Sequence, residues 1–363
     1  MRIDRYKDIG LIAFAESVKE GRATNFSNTF ILDYPGKKYI IDTSCGKKRF
    51  REIKDCIKGN TEYSILCTHY HNDHIANNGR LARKGSPIIY HENAGSKISY
   101  LRTNASGQIL RMYRDMEKEG FLKRLGIFND GIIRLFLKRK VYSRYIAEPL
   151  LFAASYILSL KSIGRIYSGK KHVKYLKKNA RTELDFNGIK TEGWIIDEFL
   201  YALEAPGHTD CHTVFYNSEY KLLIAGDALN FLTPNDIQFG TLKETIVTQK
   251  FLLELVKKEK INILCQGHYP PIEGNDEIIR YISDIIEKHE HVFKLIWNYI
   301  KNKSSGLTFD ELYNRICALD DPLIKRLTKI TFPRSTLVFL DVYLLKMLEN
   351  AGLKQGNYKT EGS

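Results

Sequence analysis

Cysteine is sparse in this 363-residue sequence and follows no regular spacing. The six thiols include no CxxC pair and form no dense framework; they are Cys45, Cys56, Cys67, Cys211, Cys265 and Cys317. Small secreted domains stabilised by disulfides need closely spaced cysteines, so the sequence is not of that class. Scattered thiols are typical of reduced, mostly buried side chains in a cytosol. We therefore predict a cytoplasmic protein.

Long apolar segments are also missing. The longest strongly apolar uncharged run, residues 149–160, contains twelve residues, whereas a helix needs about 20 to cross a bilayer. The first ten residues, MRIDRYKDIG, lack the apolar run of a secretory signal. The 43% of hydrophobic residues is nevertheless sufficient for a globular core.

Acidic residues are scarce in one segment. Residues 101–181 contain 19 Lys and Arg but 5 Asp and Glu, which accounts for the whole net charge of +14 and leaves 37 residues of each sign elsewhere. These charges are mixed with large apolar residues in a helical pattern. We predict a basic helical insert that forms a lid or side wall over a site. Lys138, Arg139 and Lys140 are its candidate substrate-binding residues.

The composition of this insert favours a partner that is both anionic and apolar. An acyl group on coenzyme A or on an acidic carrier protein has both properties, and so has an anionic lipid surface, which would be contacted peripherally. RNA matches the charge but leaves the apolar residues unexplained. A basic face that is merely solvated is the alternative. No feature of the sequence indicates an oligomeric state.

The rest of the chain divides into two β-rich segments and a helical one. Residues 1–100 and 182–275 alternate short apolar strands with helical patterns, which is typical of α/β layering. Residues 276–363 contain three segments with apolar residues at helical spacing, and Thr308 or Asp310, and also Ser335, stand where helix N-caps belong. We predict an α/β fold in two halves, interrupted by the insert of 101–181 and followed by a small helical C-terminal module.

The candidate metal-binding motif is the sequence THYHNDH, which directly follows the predicted buried strand YSILC. The strand end can aim the alternate side chains of His69 and His71 at one point. The turn that follows can bring Asp73 and His74 to a second point nearby. Imidazole and carboxylate are ligands for zinc and comparable first-row metals. Four such residues within six positions are too dense for a chance distribution of ten histidines.

Three later motifs each place one ligand-type residue where a strand gives way to a loop. They are Pro206-Gly207-His208-Thr209, Ile224-Ala225-Gly226-Asp227 and Gln266-Gly267-His268-Tyr269. The ends of strands, where loops begin, are the usual location of α/β active sites. We therefore predict that His208, Asp227 and His268 join the histidine cluster.

In this order, HxHxDH, PGHT, GD and GH resemble the successive metal-binding motifs of the metallo-β-lactamase superfamily, over roughly residues 5–100 and 182–275. The resemblance implies a four-layer αββα sandwich with a metal site at one edge of its sheets. It also implies two divalent transition-metal ions, with zinc the first candidate and iron or manganese also suited. The resemblance also implies the ligand roles. The first metal would be held by His69, His71 and His208, the second by Asp73, His74 and His268, and Asp227 would bridge the two.

Departures from the patterns of individual families within the superfamily argue against two of its known activities. His71 stands where the flavo-diiron proteins of the superfamily have glutamate, which argues against oxygen reduction. Asp227 stands where true β-lactamases have cysteine or serine, so antibiotic hydrolysis is not the favoured interpretation. Ser44 replaces the glycine of an IDTG turn, and Cys211 replaces a small residue after the third motif. Neither of these two touches a ligand.

The resemblance implies a glyoxalase II-like or lactonase-like hydrolase. In such an enzyme a hydroxide that bridges the metals cleaves a thioester or ester, such as an acyl-CoA, acyl-carrier or lactone substrate. Asp73 and Asp227 are the candidate catalytic residues, and Asp73 is suited to orient the nucleophile or accept its proton. A degenerate site used only for binding is disfavoured, because all seven ligand positions are filled.

An RNase Z-like nuclease is the alternative. The C-terminal helices resemble the winged-helix-like tail of a lactamase-like subgroup that contains both thioesterases and RNA-cutting enzymes, so the tail does not decide between them. Against a nuclease, Asp227 and His268 are 41 positions apart, which leaves no room for the long cassette of the β-CASP nucleases.

The other histidines are not predicted to take part in the chemistry. His289 and His291 are two apart in a helical pattern and are predicted to be solvated, while His91 stands alone. His212 is predicted to be a bystander, although it belongs to a GHTxxHT pattern common in the superfamily. Cys211 lies near the predicted metal ligands; a buried thiol is predicted, with a redox-sensitive one as the alternative.

Overall fold

The computed structural model places two seven-stranded sheets face to face, with helices on their outer faces. It describes residues 2–6, 10–15, 27–34, 36–58, 62–99, 110, 112–114, 116, 118–125, 131–132, 143–154, 170–230, 240–303, 307–329, 340, 344 and 347–348. The predicted α/β class and αββα sandwich are confirmed by this arrangement.

The first sheet follows the chain in strand order β1 to β7. Its strands are β1 Arg2–Tyr6, β2 Leu11–Ala15, β3 Thr29–Tyr34, β4 Lys37–Ile41, β5 Glu62–Leu66, β6 Ile88–His91 and β7 Val173–Leu176. The first four pair antiparallel and the last four pair in parallel. Its helices are α1 Lys47–Cys56, α2 Asn72–Ile75, α3 Asn78–Leu81 and α4 Glu92–Ser99. The segment predicted as a basic insert forms most of the crossover from β6 to β7, and β7 itself completes this sheet.

The second sheet contains β8 to β14, in the order β14-β13-β12-β11-β10-β9-β8. Its strands are β8 Thr182–Phe186, β9 Ile189–Asp197, β10 Leu200–Glu204, β11 Thr213–Asn217, β12 Leu222–Gly226, β13 Ile263–Gln266 and β14 Ile272–Glu273. Helix α6, Leu242–Glu259, connects β12 to β13, which pair in parallel. The segment LKETIVTQKFLLELVKKEK predicts a helix over residues 242–260, and the structure confirms it.

Three layers of apolar side chains hold the sandwich together. Phe30 and Leu66 of the first sheet meet Phe215 and Ile224 of the second between the sheets. One helical layer packs on the outer face of the first sheet, and α6 packs on the outer face of the second. Every residue of β11 and β12 is therefore buried, because both faces of these strands are covered.

A further apolar core lies beside the sandwich and joins the insert to the C-terminal helices. Its named elements are α5 Lys118–Leu125, the π-helical turn Ser143–Ala147, α7 Asn275–Lys303, α8 Phe309–Cys317 and α9 Pro322–Leu327. Phe121 and Leu151 from the insert share this core with Val292 and Phe309. Of the two predicted N-cap candidates it is Thr308 that caps α8, through a reciprocal pair of hydrogen bonds with Glu311, while Asp310 lies in the first turn.

The regular elements described after Asn275 are helices. The winged-helix resemblance of the C-terminal module stays a prediction. Among the helices that the structure describes, none has the length and apolar content needed to cross a membrane.

Candidate metal centre

The first two candidate ligands lie just beyond β5, at the edge where the two sheets meet. The backbone N–H of Thr213 in β11 donates to the carbonyl of Thr68 at 2.7 Å, which joins the cluster to the second sheet. His69 is buried. His71 precedes α2 in an extended conformation, and its ring centroid lies 4.5 Å from that of His69.

Helix α2 is a single turn that carries the next two candidates. It begins after His71, whose carbonyl accepts the backbone N–H of His74 at 3.0 Å. The ring of His74 is fully buried, whereas the side chain of Asp73 keeps 28% of its exposure. His74 Nε2 and Asp73 Oδ2 are 3.8 Å apart. The turn therefore directs His74 into the interior and leaves Asp73 partly exposed to solvent.

His208 lies in the loop between β10 and β11. The backbone N–H of Thr241, just before α6, donates to the carbonyl of Gly207 at 2.8 Å and holds this loop. Gly207 has a φ of 136°, and a Cβ there would lie 2.4 Å from the backbone nitrogen of Thr245. Both the backbone conformation and the close approach therefore require glycine. The loop brings His208 Nε2 to 3.0 Å from His71 Nδ1.

The last two candidates follow neighbouring parallel strands. Asp227 comes directly after β12, and His268 lies two residues after β13. Parallel strands end at the same edge of a sheet, and the backbone N–H of Gly267 donates to the carbonyl of Gly226 at 2.7 Å there. Gly226 has a φ of 50°, and a Cβ on it would lie 2.9 Å from Thr68. The two sheets thus approach each other closely at the cluster.

Asp227 lies at the centre of the assembled side chains. Its Oδ2 is 3.6 Å from His208 Nε2, 3.5 Å from His74 Nε2 and 3.3 Å from His268 Nε2. Asp73 Oδ2 is 3.5 Å from His268 Nε2. Three overlapping groups, each with ligand atoms within 4.8 Å of one another, contain all the predicted ligands: His69, His71 and His208; His69, His74 and Asp227; and Asp73, His74 and His268.

Charge and burial divide the histidines into two kinds. Burial, reinforced by neighbouring imidazoles, holds the pKa of His69 and of His208 well below the ordinary value, so both rings are neutral, the form that binds metals. Burial also lowers the pKa of His74 and of His268, but nearby carboxylates, with Asp227 foremost, raise both pKa values above the ordinary one. The pKa of Asp227 is well below its ordinary range, because the imidazoles of His268 and His74 outweigh the effect of burial.

Several buried polar atoms of the cluster have no hydrogen-bond partner. They are His69 Nε2, His74 Nε2, His208 Nδ1 and Asp227 Oδ1. A buried polar atom left without a partner costs about 1–3 kcal/mol, so the cluster is not satisfied by its own hydrogen bonds. Imidazole nitrogens and carboxylate oxygens that converge in this way match the ligand preferences of divalent transition metals. The residues present therefore fit such ions.

Asp42 is a residue of the centre that the sequence interpretation missed. It follows β4 with a φ of 53° and is buried. Its Oδ2 lies 2.7 Å from His74 Nδ1 and accepts the hydroxyl of Thr68 at 2.7 Å, while its Oδ1 accepts the Thr68 N–H at 2.9 Å. A carboxylate on Nδ1 orients the ring and directs Nε2 of His74 towards Asp227. The available signal was an acid at the end of a buried strand, in IDTS.

We expect Asp42→Asn to weaken metal binding by about 10–100-fold. The amide keeps the size of the side chain but removes the negative charge that orients the ring of His74. Titration of the metal-free protein against a chelating dye would measure the change. Asp185→Asn, at an exposed aspartate of β8, is the matched control and should bind metal like the wild type. Unchanged affinity in Asp42→Asn would contradict the positioning role.

His212 also contacts the centre, although the sequence interpretation made it a bystander. Its Nε2 accepts the backbone N–H of Asp227 at 3.1 Å. Burial lowers the pKa of His212 to about 3, so the ring is a neutral acceptor. Its ring also stacks on His69, with centroids 5.0 Å apart. His212 therefore positions the backbone of Asp227.

Two polar residues before β3 hold the loops of the centre. Asn28 Nδ2 donates to the carbonyl of Gln266 at 2.7 Å and to that of Tyr269 at 2.6 Å. The hydroxyl of Ser27 donates to the carbonyl of Asp73 at 3.0 Å. The bonds of Asn28 join the two halves of the chain, and the bond of Ser27 joins two segments of the first half. No local pattern in the sequence indicated them.

Two predictions about bystander residues had different outcomes. Cys211 is buried, so the prediction of a buried thiol is confirmed, and burial raises its pKa to about 12. The prediction of a solvated His289 is wrong. This residue is 1% exposed, and its Nδ1 lies 2.9 Å from Gln249 Oε1, because this face of α7 packs against α6. His291 lies on another face of α7 and pairs with Asp321.

Comparisons with known proteins agree with this fold. The sequence model of the metallo-beta-lactamase superfamily matches residues 22–100, which contain the HxHxDH motif. A metallo-beta-lactamase family protein from Thermus thermophilus has a similar structure, with a TM-score of 0.53 and 19% identity over 95% of this chain and 94% of that one. The stereoselective inverting sec-alkylsulfatase Pisa1 from Pseudomonas sp. is similar with a TM-score of 0.51 and 13% identity, over 91% of this chain and 48% of that one. The chain matches no curated protein by sequence.

The sequence motif, the αββα sandwich and the clustered His and Asp side chains are consistent with one another. The structural likenesses establish the fold, and the matched segment carries the sequence signature. Residues 22–100 thus match the metallo-beta-lactamase superfamily in sequence, and the described chain has the fold of a metallo-beta-lactamase family protein.

Proposed function

We propose that the protein is a two-metal hydrolase that cleaves a thioester or ester in a substrate with anionic character. The position of Asp227 carries this proposal. Its Oδ2 lies within 3.6 Å of His208 from one group of candidate ligands, and within 3.5 Å of His74 and 3.3 Å of His268 from the other. A carboxylate so placed is suited to serve both groups at once.

The ligand roles follow from this arrangement as part of the proposal. His69, His71 and His208 would hold one ion, Asp73, His74 and His268 the other, and Asp227 both. Zinc is our first candidate, and iron and manganese also suit this donor set. Bound there, the ions would supply a water activated at neutral pH and a Lewis acid for the acceptor oxygen of the substrate.

The two acids have different tasks in this proposal because their surroundings differ. The side chain of Asp227 is 2% exposed, and the histidines around it keep it ionised, so it serves to hold the ligand groups together. The side chain of Asp73 is 28% exposed and therefore contacts solvent. We assign Asp73 to orient the attacking water and to accept its proton, because its carboxylate can reach both the cluster and solvent.

Composition supports the choice of substrate. Residues 101–181 carry the whole excess charge of +14 together with many apolar residues, which suits an acyl group on an anionic carrier such as coenzyme A. The candidate substrate-binding residues Lys138, Arg139 and Lys140 lie outside the described residues, and their role stays a prediction. The six free cysteines support a cytoplasmic location for such an enzyme.

A phosphodiesterase resembling RNase Z is the second candidate, and the same positive charge favours it. The two candidates differ in their response to salt. Binding of a nucleic acid releases many counterions and should weaken steeply as salt rises, with a slope set by the number of phosphates contacted. Capture of a small thioester involves fewer charges and should depend less on salt.

Metal analysis and a substrate panel together test the proposal. We expect close to two transition-metal ions per chain after metal-replete expression, measured by mass spectrometry of the acid-digested protein. We expect hydrolysis of acyl-CoA thioesters or lactones to exceed that of a phosphodiester, an RNA and an alkyl sulfate. At most one ion per chain would contradict the dinuclear centre. Preferred cleavage of RNA would favour the second candidate.

A further inference from the structure

The helical segment 143–154 of the insert has an apolar outer face. Tyr145 is 68% exposed, Leu150 is 51% exposed and Ile146 is 37% exposed. The other residues described as exposed on this segment, Pro149, Ala153 and Ala154, are also apolar. Four of the eight large hydrophobic residues that are exposed among the described residues lie between positions 132 and 150. Isolated exposed apolar residues are common in soluble proteins, but a continuous apolar face of this kind marks an interaction surface.

The inner face of the same segment holds it to the rest of the protein. Ala147 and Leu151 point into the core that the insert shares with the C-terminal helices, and they are 2% and 6% exposed. The carboxylate of Glu148 pairs with Arg114 at 2.7 Å. The segment is therefore anchored from its inner side by packing and by an ion pair, and this anchoring leaves the outer apolar side chains accessible.

The sequence around this face is strongly basic. Residues 133–172 contain nine Lys and Arg, and Glu148 is the single acid among them. Five of the basic residues precede the apolar stretch 145–154 and four follow it: Arg134, Lys138, Arg139, Lys140 and Arg144, then Lys161, Arg165, Lys170 and Lys171. An exposed apolar helix flanked by cations on both sides is the pattern by which proteins lie on anionic bilayers, where the apolar residues enter the acyl boundary and the cations meet the headgroups.

We propose that the apolar outer face of segment 143–154 docks on an anionic lipid surface and seats the protein peripherally there. This docking goes beyond the hydrolytic function and does not depend on it. Charge complementarity selects the lipid, because a second copy of the chain has the same excess of positive charge in this part of its sequence, nine Lys and Arg against one acid in residues 133–172. An RNA would meet the cations but would leave the apolar face exposed to water.

Vesicle co-sedimentation tests the proposal with the full-length protein. The wild type should bind vesicles of phosphatidylcholine with about 30 mol% phosphatidylserine at least about tenfold more tightly than vesicles of pure phosphatidylcholine, since each nearby Lys or Arg adds to the attraction. The variant Tyr145→Ser, Ile146→Ser, Leu150→Ser should bind the anionic vesicles at least about tenfold more weakly, because its apolar contribution is lost. Its thermal unfolding and metal content should match those of the wild type, because Ala147 and Leu151 are retained.

A matched control removes exposed apolar groups elsewhere. Ile195→Ser, Val247→Ser changes two side chains that are 59% and 63% exposed, and it should bind anionic vesicles like the wild type. No binding by the wild type, or equal binding to both lipid compositions, would overturn the proposal. Wild-type binding by the triple serine variant would overturn it as well. A change in oligomeric state without vesicle binding would assign the face to self-association and also overturn the proposal.

Discussion

Asp227→Ala should reduce turnover by more than about 100-fold. Loss of a residue that only hydrogen-bonds to a metal ligand costs up to about 100-fold, and Asp227 is proposed to be a ligand itself. Its Oδ2 lies within 3.6 Å of three histidine nitrogens from both candidate groups. Without this anion those histidines lose the charge that joins them, so we expect the bound metal to fall from two ions per chain to one or fewer. The fold should survive, because the backbone N–H of residue 227 still reaches His212. The kcat/KM for the substrate identified in the panel and the metal content measure the two effects.

Asp55→Asn is the matched control for this substitution. Asp55 is a solvated acid of α1 whose partner is Lys58 on the surface. Its variant should keep both the metal and the activity, since exposed ion pairs contribute little. Wild-type turnover in Asp227→Ala would remove the central assumption of the proposed function. Metal loss in the control would show that the assay reports general destabilisation.

Gly267→Ala adds only one methyl group, yet it should reduce turnover and metal content about as much as Asp227→Ala does. A Cβ at this position would lie 2.0 Å from Asp227 Oδ1 and 3.0 Å from His74 Cε1. Such contacts cannot be tolerated, so the carboxylate of Asp227 must leave its place between the histidines. We expect at most one ion per chain and a loss of kcat/KM greater than about 100-fold, comparable to the loss of a group that supports the metal.

Gly188→Ala separates this clash from an ordinary backbone effect. Gly188 has a φ of 90° in the turn between β8 and β9, and nothing lies within 4 Å of the Cβ it would gain. Its variant should lose about 1 kcal/mol of unfolding free energy through backbone strain, with both ions and the activity retained. Two bound ions and normal turnover in Gly267→Ala would mean that Asp227 does not lie between the histidines.

Local patterns in the sequence were sufficient to identify the layers and the candidate ligands. The strand before His69, the strand before Asp227 and the strand before His268 are apolar runs, because both of their faces are buried in the sandwich. Each run ends in a ligand-type residue, and parallel strands end at one edge. The side chains that could meet there were therefore readable from order and spacing. The same holds for α6 and for the cap at Thr308.

The residues that orient the ligands could not be read in this way. Asp42 is 32 positions from His74, and Asn28 is 238 positions from Gln266, so each hydrogen bond exists only because β4 lies beside β5 or because the two halves close on each other. His289 was misjudged for a related reason, since a helical pattern does not show which neighbour covers a polar position. His289 is buried by α6, whose Gln249 lies within hydrogen-bond distance of its ring.

The sequence by itself determined the α/β class, the set of side chains available to bind metal and the concentration of charge in residues 101–181, because these depend on residue type and short-range periodicity. Only the tertiary structure decided that the seven candidate ligands share one centre with Asp227 in the middle. It also decided that the insert and the C-terminal helices form one core and that segment 143–154 turns an apolar face outward. The physical reason is that packing partners and burial are set by contacts between residues far apart in the chain, and local propensity carries no information about them.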